Sequence, residues 1–379
     1  MIHRYQKKGL NFVLDVNSGA VHLLDDISYA VSGLLDENMG DTCPQGIIDA
    51  LPDYTADEIR EAYDELYELK KAGQLFAQDD YIDVSRYIPV NAPVKALCLH
   101  VAHDCNLRCK YCFASTGDFG QGRKIMPPEI AKKAIDFVIA RSGVRHNIEV
   151  DFFGGEPLMA WDTVTQTVDY ARSLEEKYNK KFRFTITTNG LLLDEDKRKY
   201  INENMDNCVL SLDGRREVND EFRKTVAGTG SYDTIVPKFK ALVDERDPNL
   251  DYYARGTFTS HNLDFAEDVL SIADAGFDRL SVEPVTADPG CGYDLTEDDL
   301  PKIEAEYDRL TDIMLERKKE GKPFTFFHFM VDLDQGPCVV KRLRGCGAGY
   351  EYVAVTPDGD IYPCHQFVGD EKYSMGDIW

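Results

Sequence analysis

Ten cysteines are spread along the 379 residues, and three of them are spaced for chemistry. Cys105, Cys109 and Cys112 make a C-x3-C-x2-C run inside HVAHDCNLRCKYCFAS. Three thiolates this close can hold a [4Fe–4S] cube by three irons, which leaves the fourth iron without a protein ligand. A structural zinc site is the alternative. It must be closed by four ligands, for which His100 and His103 are at hand, but zinc pairs favour C-x2-C repeats over a 3-then-2 spacing. Cys338, Cys346 and Cys364 form a looser second group with gaps of seven and seventeen residues. Cys98 and Cys208 lie in apolar runs and read as small core hydrophobes, as does Cys43 before Pro44. Cys291, in the loop ADPGCGYD, stays open.

Periodicity and turn residues predict the elements that position these thiols. Residues 1–80 read as a separate module. Leu10–Val16 and Ala20–Leu24 flank Asn17-Ser18-Gly19 as a β-hairpin. A helix is expected over 26–35 and a short one after Pro44. Thr55 with Glu58 is a capping-box signature for a third, whose Ile59, Ala62, Tyr63, Leu66 and Leu69 share one face up to Gly73. Residues 74–77 are expected to return as a strand, completing a winged-helix-like module. Residues 81–94 read as a linker bounded by Pro89 and Pro93. Over 95–320, strands at 96–101, 148–153, 182–188, 208–213, 253–259 and 279–284 alternate with helical patterns. The helical stretches are 128–140, 163–178, 195–203, 235–243, 265–275 and 297–318. Six such repeats imply an α/β fold with a parallel sheet, a partial (β/α)6 TIM-like barrel with its reactive residues at the carboxyl ends of the strands. In 321–379, residues 352–356 and 360–363 flank Pro357-Asp358-Gly359 as a hairpin.

Composition narrows the function. The chain has 43 basic and 67 acidic residues, a net charge of −24, which would repel nucleic acid and anionic membranes. Residues 1–80 carry six basic and sixteen acidic residues. That net of −10 suits a module taking an extended peptide onto a strand edge better than a DNA reader. No apolar run approaches the ~20 residues of a membrane span, and the start lacks a signal peptide's apolar core and cleavage site. A cytoplasmic location is expected, where clustered cysteines serve as metal ligands or catalysts rather than as disulfides.

The cysteine run, with Tyr111 before its last thiol, resembles the radical S-adenosylmethionine (SAM) superfamily. Further motifs follow at predicted strand ends: Gly154-Gly155-Glu156-Pro157, Thr187-Thr188-Asn189-Gly190, Ser211-Leu212-Asp213-Gly214 and Glu283-Pro284-Val285. The resemblance implies that Cys105, Cys109 and Cys112 hold a [4Fe–4S] cluster whose open iron is chelated by SAM. It implies that the GGEP backbone and Glu156 hold the SAM amino group, and that Ser211 and Asp213 reach ribose and methionine. Arg223 matches a position pairing with the SAM carboxylate, and Asn189 and Glu283 complete the cofactor-binding set. One-electron cleavage of SAM would then yield a 5′-deoxyadenosyl radical that abstracts a substrate hydrogen, with an electron donor such as a flavodoxin or ferredoxin. No further catalytic residue is assigned.

Two further resemblances narrow the family. Cys338, Cys346 and Cys364 around the hairpin are similar to the start of a SPASM domain, which holds auxiliary [4Fe–4S] clusters. The N-terminal module resembles a RiPP recognition element, and LDVNSGAVHLLDD is most similar to maturases of SCIFF peptides, cysteine-rich ribosomal precursors. These imply an oxidoreductase that joins a peptide cysteine sulfur to an α-carbon as a thioether. Formylglycine formation and a non-catalytic iron–sulfur regulator are the alternatives. A full SPASM domain has more cysteines, so the chain is expected to be C-terminally truncated. The auxiliary cluster's fourth ligand is then Cys291, a substrate thiolate or a residue beyond Trp379.

Overall fold

The computed structural model describes residues 1–79, 92–331 and 345–379. Most of the expected linker and Cys338 lie outside the described residues. The chain divides into two units, Met1–Val90 with Val331–Gly345, and Asn91–Met330 with Cys346–Trp379.

In the first unit, β1 (Ile2–Lys7), β2 (Leu10–Asp15) and β3 (Val21–Leu24) form an antiparallel sheet in that order. The hairpin between β2 and β3 is set by Asp15, whose Oδ1 accepts from Asn17 N at 3.1 Å and Ser18 N at 2.7 Å. Three helices follow: α1 (Asp26–Ser32), α2 (Gln45–Ala50) and α3 (Ala56–Lys71). The capping box forms as the sequence implies: Thr55 Oγ1 accepts from Glu58 N, and Glu58 Oε2 accepts from Thr55 N at 2.8 Å. Ile59, Ala62, Tyr63 and Leu66 of α3 bury their shared face in a core with Val13 and Val31. The third strand is β1. Residues 74–77 are not a strand, because side chains take up their backbone groups: Asn17 Nδ2 donates to Ala77 O at 2.7 Å, and Ala77 N to Asp15 Oδ2 at 3.1 Å.

In the second unit the expected alternation is present. The elements in chain order are β4 (Ala96–His103), β5 (Leu107–Cys109), β6 (Lys124–Ile125), α4 (Pro128–Arg141), β7 (Asn147–Gly154), α5 (Trp161–Tyr178) and β8 (Lys181–Thr188). Next come α6 (Glu195–Asn204), β9 (Asn207–Ser211), α7 (Arg216–Phe222), β10 (Arg223–Thr225), α8 (Tyr232–Asp244) and β11 (Asp251–Phe258). The rest are α9 (Phe265–Asp274), β12 (Arg279–Pro284), α10 (Leu300–Lys319), β13 (Thr325–Phe326), β14 (Tyr352–Val355) and β15 (Ile361–Tyr362).

The large sheet runs β13-β12-β11-β9-β8-β7-β4-β14-β15, with β6 on β4. Strands β4, β7, β8, β9, β11 and β12 are parallel neighbours, and the two ends of the sheet do not join, so the barrel is open. Alternation sorts the side chains. Leu97, Leu99, Val150, Phe152, Phe184, Leu210, Leu280 and Val282 pack outward in the main core with residues of the helices. Cys98, Asp151, Phe153, Ser211, Arg255 and Glu283 fall on the inner face. The C-terminal hairpin is part of this sheet, since β14 pairs parallel with β4 (Ala354 beside Cys98) and antiparallel with β15.

Candidate functional site

After β4 the chain turns into the cysteine loop and runs back as β5. That strand pairs antiparallel with β10, which sets Arg223 opposite Cys109. At the carboxyl ends of β7, β8 and β9 this leaves a pocket of about 670 Å³, part of it open to solvent. Cys105, Cys109, Cys112, Gly154, Gly155, Glu156, Asn189, Ser211 and Arg223 all line it, so residues from five segments up to 118 positions apart converge. Three residues expected there do not line it. Pro157 starts a 3₁₀ turn behind the motif. Asp213 lies two residues past the end of β9 and is wholly buried. Glu283 closes β12, where its Oε1 accepts from Ser281 Oγ at 2.5 Å and its Oε2 lies 2.8 Å from His328 Nε2.

The glycines are dictated by close backbone approach. A Cβ on Gly155 would run into the carbonyl of Asp104, and one on Gly154, at φ +130°, into that of Ala102. Glu156 ties the ends of β7 and β8 together. Its Oε1 accepts from Thr188 Oγ1 at 2.7 Å and Leu158 N at 3.0 Å, and its Oε2 from Asn189 N at 2.8 Å. Burial pushes its carboxyl up, and these bonds oppose that. Asn189 Nδ2 in turn donates to Asn106 Oδ1 at 2.7 Å and lies 3.6 Å from Cys105 Sγ.

Tyr111 does more than the motif alone suggests. Its hydroxyl bonds the Asp213 carboxylate at 2.6 and 2.8 Å and accepts from Arg223 Nη1 at 3.0 Å. Arg223 and Asp213 stand 4.0 Å apart behind it. Burial pushes Asp213 up to about 6 against the pull of Arg223 and Tyr111. The buried Arg223 Nε finds no hydrogen-bond partner among the described residues, so a guanidinium edge at the pocket is unsatisfied. Burial also pushes Cys105 up to about 12 and Cys109 to about 11, with Arg223 pulling Cys109 back, so without a cation these thiols stay neutral. His100 and His103 bond to each other, Nδ1 to Nε2 at 3.2 Å. Among the described residues no three Cys, His, Asp or Glu side chains are placed to hold a single metal ion.

The chemistry of the donor set fits a three-cysteine iron–sulfur cluster with a small amino acid-like ligand. Three thiols line one pocket, and the Arg223 Nε that lacks a hydrogen-bond partner among the described residues can take a carboxylate. Cys105, Cys109 and Cys112 would hold the cluster, with Arg223 beside SAM. Of the second cysteine group, Cys346 is exposed and Cys364 half-buried. His365, next to Cys364, packs tilted against Phe153 at 4.9 Å and Phe113 at 5.6 Å between ring centres, and both of those rings line the pocket. Cys208 sits in the outer core as expected. Cys98 is buried but belongs to a small inner cluster with Ala354 and Tyr362. Cys291 is exposed, with its Sγ 3.8 Å from Asp294 Oδ1.

Residues 99–253 match the family model described as the Radical SAM superfamily, and residues 346–379 the one described as an iron–sulfur cluster-binding domain, SPASM. Residues 99–253 are thus similar to a radical SAM domain, which implies a [4Fe–4S] cluster and SAM as cofactors, and residues 346–379 to a SPASM segment, which implies auxiliary iron–sulfur clusters. Its relatives include maturating enzymes. It is 26% identical to a cysteine-type anaerobic sulfatase-maturating enzyme of Clostridium novyi, over 73% of this chain and 74% of that one. It is 30% identical to an uncharacterised protein of Methanocaldococcus jannaschii over 46% of this chain, spanning 57% of that protein's length. The crystal structure of Streptococcus suis SuiB bound to its precursor peptide SuiA shares the fold over 99% of this chain and 84% of that one, with TM-score 0.56 and 16% identity. Among the described residues no helix is long and apolar enough to cross a membrane.

Proposed function

We propose that this chain installs Cys-to-α-carbon thioether crosslinks in a cysteine-rich ribosomal precursor peptide, whose leader is held by the N-terminal unit. The observation that carries the reading is the combination in one chain of the SAM-type pocket with a small acidic sheet-and-helix module. SuiB, a fold relative over nearly the whole chain, was crystallised with a precursor peptide. The module offers an edge: β3 ends its sheet, with Val21 and Leu23 exposed along it. An extended leader would add there as a further strand. Bound SAM and cluster would supply the hydrogen-abstracting oxidant. The chain's own residues orient that cofactor through Arg223, Asn189 and the glycine backbone, and the inner face of the sheet encloses the peptide. Cys346 and Cys364, with Cys338, would seat the auxiliary cluster. An electron donor such as a flavodoxin or ferredoxin completes the set of partners.

Anaerobic reaction of the reconstituted protein with SAM, reductant and precursor should give a peptide two mass units lighter per crosslink, with the link located by tandem mass spectrometry. Unchanged peptide mass beside vigorous 5′-deoxyadenosine release would overturn the thioether reading. A second reading, oxidation of a cysteine or serine to formylglycine, is favoured by the sulfatase-maturase likeness over 73% of the chain. It predicts an aldehyde in place of a crosslink.

A further inference from the structure

The outer face of the cysteine loop is basic in a chain with a net charge of −24. In the two-stranded sheet of β5 and β10, Arg108 lies directly opposite Lys224. By alternation these two side chains point away from the face that Cys109 and Arg223 present to the pocket. Like charges directly opposite on paired strands cost stability, and among the described residues neither side chain has an ion-pair partner at 4.0 Å or closer. Arg108 Nη1 donates to the carbonyls of Cys105 and Leu107, which carry no full charge. Lys224 is exposed and has no ion pair among the described residues. Lys110 extends the patch, with its Nζ 5.3 Å from the centre of the Phe222 ring. Glu221, 3.2 Å from Lys110 and 3.0 Å from His261 Nδ1, is the carboxylate paired within it.

The patch lies one strand's thickness from Cys109. Phe222, beneath Lys110, lies 5.7 Å from the Tyr111 ring at the pocket and 6.1 Å from the ring of Tyr293. Tyr293 OH bonds Lys110 O at 2.9 Å, which pins its loop against the cysteine loop. At physiological ionic strength charges are screened beyond ~8 Å, so an approaching protein meets this local cation cluster rather than the net charge of the whole chain.

We propose that the β5–β10 surface, centred on Arg108, Lys110 and Lys224, docks an acidic one-electron carrier protein that reduces the cluster held by Cys105, Cys109 and Cys112. The inference rests on the reading of those cysteines as the SAM-binding cluster. One electron leaves the reduced carrier, which is oxidised by one unit, and enters the cluster; no bond forms or breaks at the interface. Opposite charge on carrier and patch steers the encounter and makes it salt-dependent.

The test uses the cluster-loaded protein, its Lys224→Glu variant, and two reductants, dithionite and a reduced acidic flavodoxin. Lys224→Glu should lower flavodoxin-driven 5′-deoxyadenosine formation at least tenfold and leave the dithionite-driven rate within twofold of the parent. Flavodoxin affinity, measured by titration calorimetry without turnover, should weaken about tenfold and lose most of its dependence on salt. Lys224→Gln, which only removes the charge, should show the same pattern at smaller size. Equal losses with both reductants would show a merely structural role and overturn the proposal. So would an unaltered flavodoxin affinity, or flavodoxin failing to bind the parent at all. Absence of dithionite-driven SAM cleavage in the parent would instead contradict the cluster reading, and the binding arm would still decide whether the patch takes the carrier.

Discussion

Replacing Tyr111 by Phe removes one hydroxyl and leaves the ring in place, which isolates the link between Arg223 and Asp213. In the parent, Arg223 Nη1 rests on that hydroxyl at 3.0 Å while Asp213 is held 4.0 Å away. Without the hydroxyl the Asp213 carboxylate keeps, among the described residues, one hydrogen bond, from Thr257 N at 3.2 Å, and the guanidinium loses its acceptor. At an effective dielectric near 20, two unit charges 4 Å apart attract by ~4 kcal/mol, and closing to ~3 Å adds about 1.4 kcal/mol. That pull draws Arg223 off the pocket wall toward Asp213. About 1.4 kcal/mol is tenfold in affinity, so SAM should bind the cluster-loaded Tyr111→Phe variant about ten times more weakly by equilibrium dialysis, at unchanged iron content. Affinity within twofold of the parent would refute the placement of Arg223 as the SAM anchor.

Three further outcomes follow from the same geometry. Asp151, on the inner face of the sheet, is pushed up by burial to about 7, with Glu149 adding to the push and Thr185 opposing it. A carboxyl raised in the fold binds more protons there than in the unfolded chain, so stability falls as pH rises from the ordinary carboxylate range to about 7. Asp151→Asn should therefore melt like the parent at pH 4 and higher than the parent at pH 8, by at most ~4 kcal/mol of stability; a pH-independent difference in Tm would contradict this. Gly155→Ala places a methyl against backbone that cannot yield, and should abolish SAM cleavage; retained cleavage with normal cluster absorption would show that the tight packing is not needed. Thr55→Ala removes the N-cap of α3 and should cost the N-terminal unit about 1 kcal/mol without changing peptide-independent SAM cleavage, as separate proteolysis and turnover assays would show.

The six strand–helix repeats were legible because strands with a helix-covered face read as apolar runs, each ending in a motif rich in glycine or polar residues. The pocket was legible for the same reason, since motifs at successive strand ends must meet at one rim of a barrel. β1 escaped because Ile2–Lys7 is an edge strand with mostly exposed side chains, and a strand with so little burial leaves little pattern. Residues 74–77 misled in the other direction, since their backbone groups go to Asn17, Asp15 and His22. The joining of β14 to β4 brings Ala354 beside Cys98, and no local signal reports a parallel pairing over that distance in sequence. Glu283 lies 2.8 Å from His328, 45 residues on, a pairing out of reach of motif reasoning. The role of Tyr111 needed three dimensions, because Arg223 and Asp213 follow it by about a hundred residues.

If the pocket beside Cys105, Cys109 and Cys112 serves oxidation at a peptide α-carbon, the hydrogen of that carbon passes to the 5′-deoxyadenosine released. A precursor carrying deuterium at the α-carbon of the acceptor residue tests it most directly, by mass spectrometry of the 5′-deoxyadenosine released. One deuterium is expected in each deoxyadenosine formed per crosslink. Unlabelled deoxyadenosine beside crosslinked peptide would contradict it.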